Sequence, residues 1–372
     1  MLVKAGYKNT EVGVIPKDWG VAKLASICSM KSGEGITSTR IDQFSLYPCY
    51  GGNGLRGFAA RFTHNGSYAL IGRQGALCGN VLGVDGKFYA SEHAIVVAAS
   101  DSTDIRWLTF VLTEMQLNKY SESSAQPGLS VSKLLNLYVA HPPSKKEQQA
   151  IATVLSDMDS LIASLDQLIA KKGGLKQAAM HQLLTGKKRL PGFNGVWEVK
   201  TLVDITVIQK GQMITEKSSV EGNIPVIAGG IQPSYYHDTF NRNENTITVS
   251  ASGANAGYVS FHDSPIFASD CSTIEEGIQY DVKYLFYYLK LRQQDIFKFQ
   301  SGGAQPHVYP EQLKTFKIDI PREKAEQTAI AAVLSDMDAE INEVEARLAK
   351  TRLIKQGIMQ ELLTGKTRLI GA

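Results

Sequence analysis

The chain has 372 residues, 43% hydrophobic and 20% charged, which excludes bulk disorder and allows two domains with their own cores. A net charge of +3 permits a nucleic-acid partner without pointing to one, so any basic surface has to be local. The four cysteines (Cys28, Cys49, Cys78 and Cys271) form no CxxC pair, and three of them lie in the first half of the chain, which fits reduced structural thiols better than a disulfide frame or zinc site. With no charged-then-apolar leader and no run of ~18 apolar residues, the expectation is a cytoplasmic protein that neither leaves by a signal peptide nor enters a membrane.

In chain order, the first stretch (1–143) is rich in Gly, Ser, Asn and aromatics. It holds β-type runs at 67–72 and 94–99 and a helical pattern at 105–120. Residues 144–190 then form a long polar-faced helical region. The plan repeats: residues 191–321 are globular, with β-type runs at 245–251 and 314–321 and a helical pattern at 282–299, and 322–372 are helical. The repetition is literal. EQQAIATVLSDMD (147–159) returns as EQTAIAAVLSDMD (326–338), and LLTGKKRL (183–190) as LLTGKTRL (362–369), both at an offset of 179 residues. Trp19 pairs with Trp197, Gly75 with Gly253 and Gly79 with Gly257 at an offset of 178. An offset this long means duplication of a whole unit. Strands and helices without regular βαβ alternation predict two α+β domains.

Apolar residues in the first helical region fall at Ile151, Leu155, Met158, Ile162, Leu165 and Ile169, and in the second at Ile330, Leu334, Met337, Ile341, Val344 and Leu348. Both series step 4, 3, 4, 3, 4, the a/d spacing of a coiled coil. Two matching stripes in one chain predict that each helix is the other's partner, antiparallel because of the long globular connections. Each region starts after a proline, Pro143 or Pro321, and ends near a glycine, Gly186 or Gly365. Gly173-Gly174 predicts a kink or weak point in the first helix.

Several motifs that suggest chemistry do not survive comparison between the two copies. Gly52, Gly54 and Gly57 match GxGxxG, but no helix pattern follows and the sister stretch GGIQPSYY (229–236) lacks it. TGKT (364–367) lacks the first glycine of a phosphate loop and reads as a helix C-cap. HPPS (141–144) resembles the amine-holding motif of DNA amino-methyltransferases, with His141 and Ser144 in the wrong places and IPRE in the sister copy. Asp157/Asp159 and Asp336/Asp338 stand at i, i+2 and point to different helix faces, which argues for solvated or partner-facing charges over a metal pair. No catalytic site and no metal site can be assembled. A methyltransferase or nuclease in its own right is the weaker alternative to a binding protein.

The glycine-rich turns carry side chains suited to base edges and phosphates. In the first copy these are Lys31, Ser32, Asn53, Arg56, Arg73, Gln74 and Gln126, and in the second Gln209, Lys210, Gln232, Ser252, Asn255, Gln305 and His307. Tyr50, Tyr235, Tyr236 and Tyr258 are near them in sequence. Any one of these is by itself an ordinary loop residue; as a set in two domains they are candidate DNA contacts. The turns are also where the copies differ most, RQGALC (73–78) against SASGANA (250–256), whereas the helical regions stay close. A helix of ~38 residues is roughly 57 Å long, enough to hold two reading heads about one DNA turn, ~34 Å, apart.

The doubled EQxAIAxVLSDMD and MxxLLTGKxRL segments, with the lead-ins IPKDW (15–19) and GVWEVKTL (195–202), resemble the specificity subunits of type I restriction–modification enzymes over essentially the whole chain. The resemblance implies two α/β target recognition domains separated by two helices in an antiparallel coiled coil, in a circular, pseudo-twofold arrangement. Each domain would read one half of a bipartite, asymmetric site in double-stranded DNA. The subunit itself would be non-catalytic and hold no cofactor. It would recruit two modification (methyltransferase) subunits that use S-adenosylmethionine and restriction/translocase subunits that use ATP and Mg. Only the helical segments carry over residue by residue, because recognition domains differ between members. A circular arrangement also implies that the GKTRL tail lies near the N-terminal GYKNTEVGVIP segment.

Overall fold

The computed structural model describes residues 5–75, 77–121 and 128–369. The chain divides into two compact units, Met1–Leu165 with Arg347–Ala372, and Asp166–Ala346. Each unit joins one globular region to the start of one long helix and the end of the other.

In the first unit the apolar run AIVVAA becomes the strand Ala94–Ala99. It pairs antiparallel with Cys28–Ser32 on one side and Tyr68–Gly72 on the other, and Val81–Val84 completes a four-stranded sheet. The run has no polar alternation because both of its faces are buried. Ile95 and Val97 join the main core with Ala69 and Ile71, while Val96 and Leu70 pack with Phe88 and Ala90 of a second sheet. That second sheet sets Lys87–Ala90 parallel to Tyr47–Gly51, with Gly54–Ala59 and His64–Asn65 at its edges. The other face of the first sheet is covered by the helix Ile105–Glu114, which buries Trp107, Leu108, Val111 and Leu112. Asp104 caps this helix, accepting from the backbone of Arg106 and Trp107 at 3.0 Å each.

The second unit repeats the plan. Its antiparallel sheet runs in the order Gln209–Lys210, Cys271–Ile274, Thr246–Ser250, Val259–His262. Its second sheet sets Ile224–Ile227 parallel to Phe267–Ala268. The covering helix Val282–Leu291 is capped by Asp281, which accepts from Tyr284 N at 2.9 Å. In each unit a two-stranded ladder, Gly20–Lys23 with Tyr138–His141 or Trp197–Thr201 with Lys317–Pro321, delivers the chain to a long helix.

The long helices are Lys145–Leu183 and Lys324–Leu363. In the first unit Ile151, Ala152 and Leu155 share a core with Met359, Leu362 and Leu363. In the second, Ile330, Ala331 and Leu334 share one with Met180, Leu183 and Leu184. Within each unit the start of one helix meets the end of the other, so the pair is antiparallel. Along the stripes, Ile151, Leu155, Leu165, Ile330, Leu334 and Leu348 are buried, and Met158, Ile162, Ile169, Met337, Ile341 and Val344 are half-buried. The second aspartate of each SDMD faces a lysine of the other helix, Asp159 with Lys355 and Asp338 with Lys176. Lys172 adds a pair with Glu340 at 2.5 Å.

The helix ends explain why EQ and GKxRL recur together. Gly186 and Gly365 stop the helices at φ +67° and +69°, a left-handed conformation in which glycine carries no penalty. The chain then turns back and delivers an arginine. Arg189 holds Glu326 through two hydrogen bonds of 2.5 and 2.6 Å. Arg368 holds Glu147 in the same bidentate way, with Nη2 to Oε2 at 2.9 Å, and also Asp18 at 2.9 Å. The two glutamates are only 2% and 1% exposed. Each arginine also lies over a tryptophan of its unit, Trp19 for Arg368 at 5.8 Å and Trp197 for Arg189 at 5.7 Å. The neighbouring Gln148 and Gln327, 0% and 1% exposed, accept from the backbone of the cap residues Asp104 and Asp281 at 2.8 and 2.9 Å. They donate to the carbonyls of Pro142 and Pro321. The GKTRL tail also meets the N-terminal segment, where Tyr7 donates to the carbonyls of Gly365 and Lys366 at 3.3 and 3.0 Å.

The weak point expected at Gly173-Gly174 is not a break, since the helix runs unbroken through both residues. Both glycines are exposed, and a Cβ added to either would meet nothing within 4 Å. Neither has a positive φ. Gly173→Ala with Gly174→Ala is therefore expected to stabilise the helix by about 2 kcal/mol, read as a raised urea midpoint. An unchanged or lowered midpoint would show that the two glycines relieve a strain the helix geometry does not reveal.

Candidate nucleic-acid interface

Both units build the same loop after the third strand of the main sheet. In the first unit Gly79 N donates to Gly72 O at 2.8 Å and Cys78 N to Gly75 O at 2.9 Å. In the second, Gly257 N donates to Ser250 O at 2.7 Å and Ala256 N to Gly253 O at 3.0 Å. Gly75 and Gly253 have φ +86° and +82°, and Gly79 and Gly257 +90° and +87°. The loop is also pinned from the same direction in both units. Leu129 N donates to Arg73 O at 2.9 Å, and Val308 N to Ala251 O at 3.0 Å. Isolated antiparallel bridges join Gln74 to Gly128 and Ser252 to His307. One backbone skeleton thus carries two different sets of side chains.

In the first unit, Asn53, Arg56 and Gln74 come together. They line an open cleft of about 410 Å³ with Gly52, Gly75, Leu77 and His93. The hairpin Tyr47–Gly51/Gly54–Ala59 supplies Asn53 and Arg56, and the pinned loop supplies Gln74. His93 was not legible from sequence as part of this group; its Nδ1 lies 3.3 Å from Gln74 Oε1. Arg73 is half-buried and does not line the cleft, and its backbone N donates to His93 O at 2.9 Å. Lys31 and Ser32 are exposed on the edge strand, opposite Val96 and Ile95, and do not line the cleft either. Gln126 lies outside the described residues.

In the second unit, the bridge to His307 brings that residue to Ser252, and Gly229 packs against the Ser252 carbonyl. Asn255 is half-buried on the same loop. Gln232 and Gln305 are exposed on flanking loops. Gln209 and Lys210 are exposed on the edge strand opposite Thr273 and Ser272, where Arg242 donates to the Lys210 carbonyl at 3.1 Å. Asp270, which accepts a hydrogen bond from Ser252 Oγ, was missed from sequence. Its signal was the match of FASD (267–270) to YASE (89–92), which aligns it with Glu92. Of the four tyrosines, Tyr236 is exposed. Tyr50 packs edge-on against Phe88, Tyr235 donates to Ile214 O at 2.6 Å, and Tyr258 lies under Lys290 at 3.9 Å.

The strongly displaced titrations belong to the core. Burial pushes the Cys28 and Cys271 thiols up to about 12 and lowers His262 to about 4. Arg368 is raised by its hydrogen bonds to Glu147 and Asp18. His141 of HPPS is lowered by burial and packs edge-on against Trp107. GxGxxG falls on a hairpin turn (Gly52) and the strand that follows it (Gly54 and Gly57), with no helix after it. Among the described residues, no group of three or more His, Cys, Asp or Glu is placed to hold a metal ion, and no helix is long and apolar enough to cross a membrane.

A family model described as the type I restriction modification DNA specificity domain matches residues 16–171 and again 194–351. The specificity subunit of the type I restriction enzyme EcoprrI from Escherichia coli is 44% identical over 151 residues, 39% of this chain and 37% of that protein. The specificity subunit of the type I restriction enzyme MjaVIII from Methanocaldococcus jannaschii is 30% identical over 181 residues, 45% of this chain and 42% of that protein. The chain thus spans about two fifths of the length of these two relatives. The crystal structure of a type I restriction-modification system S subunit from M. genitalium superposes with a TM-score of 0.74 at 19% identity, covering 92% of this chain and 96% of that one.

The glycines of the shared loop should not be equivalent. Gly75→Ala meets open space and suffers only its positive φ, at about 1–2 kcal/mol. Gly79→Ala adds a clash, since its Cβ would stand 2.8 and 2.9 Å from the backbone of Leu117 and Asn118. In chemical denaturation Gly79→Ala is expected to lose at least twice as much stability as Gly75→Ala; equal losses would contradict the close packing of this loop.

Proposed function

The chain belongs to the type I restriction modification DNA specificity family, and from that premise we propose that each of its two units reads one half of a bipartite, asymmetric site in double-stranded DNA. The observation that carries this reading is the loop described above, one backbone built twice with different polar side chains. A fixed backbone repeats a geometry of approach, and divergent side chains make the two readings different. Arg56, Asn53 and Gln74 in the first unit are of the types that make bidentate contacts to guanine and adenine edges, and Ser252 and Asn255 serve the second unit. Lys31, Lys210 and the exposed strand edges suit phosphate contacts that set register.

The helices serve as the frame. We assign to the exposed faces of the antiparallel pair the docking of two modification subunits, and to the assembled complex the recruitment of restriction/translocase subunits. The chain is read as non-catalytic, with S-adenosylmethionine, ATP and Mg handled by those partners.

Methylome sequencing of a host carrying this chain and its modification partner tests the proposal. The expected result is a bipartite motif with methyladenine on both strands. Replacing residues 13–143 by those of a relative should change one half of the motif and leave the other. A contiguous motif, or a change in both halves, would contradict one reading per unit.

A further inference from the structure

We propose that Asp270 is a positioning residue for sequence specificity: it fixes Ser252 as a hydrogen-bond acceptor for an exocyclic base amine, that of adenine or cytosine, in the half-site read by the second unit. The inference rests on the DNA-reading function proposed above and names the chemistry that one of its contacts selects.

The Ser252 hydroxyl has one proton, and Asp270 Oδ2 receives it. An ionised carboxylate accepts only, so what remains on Oγ is lone pairs. The main chain around the hydroxyl is held as well. Ser252 is bridged to His307, Gly253 N donates to Pro306 O at 3.0 Å, and Gly229 closes on the Ser252 carbonyl. With its single proton given to Asp270, the hydroxyl cannot donate outward without giving up the carboxylate. Base edges in the major groove offer donors only at adenine N6 and cytosine N4, whereas guanine O6 and N7 and thymine O4 accept. An acceptor-only hydroxyl backed by a negative charge therefore favours the amine-bearing bases and opposes a carbonyl in the same place.

The first unit lacks this pairing. The residue matched to Ser252 is Gln74, which faces His93, and the acid matched to Asp270 is Glu92, which accepts from Ile36 N at 3.2 Å. The effect of Asp270 should therefore be confined to one half-site, and the other half-site serves as an internal control for folding.

The test uses the full chain bound to its modification partner. Affinity is measured for duplexes substituted at each base pair of both half-sites, and for duplexes in which an adenine or cytosine is replaced by its analogue without the exocyclic amine. The wild type is expected to lose about tenfold at one position of one half-site when the amine is removed. Ser252→Ala should abolish that difference. Asp270→Asn should erase most of it, because an amide can donate to Oγ and free the serine proton to point outward. Discrimination at the other half-site should be unchanged in both variants. The proposal is overturned if amine removal costs the wild type nothing at any position, if Asp270→Asn keeps the full discrimination, or if it weakens both half-sites alike. A wild type without preference for any sequence would instead overturn the DNA-reading function itself.

Discussion

The structure depends on a buried glutamate at the start of each long helix and the arginine that reaches it from just beyond the end of the other helix. An unpaired carboxylate as enclosed as Glu147 or Glu326 would cost several kcal/mol in lost hydration. Its compensation by Arg368 or Arg189 is bidentate, backed by a tryptophan face, and available in one register only. Each clamp joins the head of one helix to the tail of the other, and each helix begins in one clamp and ends in the other. The two helices are of near-equal length, 39 and 40 residues. The apolar stripe supplies most of the burial, but apolar contact tolerates slippage by a heptad. A bidentate, buried pair is suited to setting the registry, the best-attested use of buried ion pairs.

The clamp also connects the frame to the reading surface. Gln148 and Gln327, one residue further on, bind the cap residues of the helices that cover the main sheets. Those sheets carry the pinned loops with Gln74 and Ser252. A continuous set of hydrogen bonds and packed layers thus runs, inside each unit, from the end of a long helix to the loop proposed to meet DNA. The frame is the part the two copies share most closely, and in the pinned loop different side chains project from a common backbone.

Much of this was legible in the sequence. The stripe from Ile151 to Ile169 and its copy from Ile330 to Leu348 gave the helices, because a 4, 3 spacing has one structural meaning. The run AIVVAA gave a strand, and comparison of the copies argued against catalytic or cofactor readings of HPPS and GxGxxG. The clamp was not legible as a contact. EQ and GKxRL recur at one offset, but recurrence does not say that the glutamate of one copy meets the arginine of the other, 221 residues away for Glu147 and Arg368. The candidate site was legible by type rather than by position. Asn53, Arg56 and Gln74 come together in one cleft, whereas Lys31 and Arg73 do not line it. His93 and Asp270 escaped because each is recognised only through the side chain it contacts, Gln74 or Ser252, a relation that periodicity and composition do not encode.

The most direct test of the clamp as a paired interaction is a double-mutant cycle on Arg368 and Glu147, followed by urea unfolding of the full chain. Arg368→Ala alone should cost about 3 kcal/mol, because it leaves a buried carboxylate without a partner. The double variant Arg368→Ala with Glu147→Ala should recover a large share of that loss, giving a coupling energy of about 2 kcal/mol. A coupling below about 0.5 kcal/mol, the value of an exposed surface pair, would contradict the account.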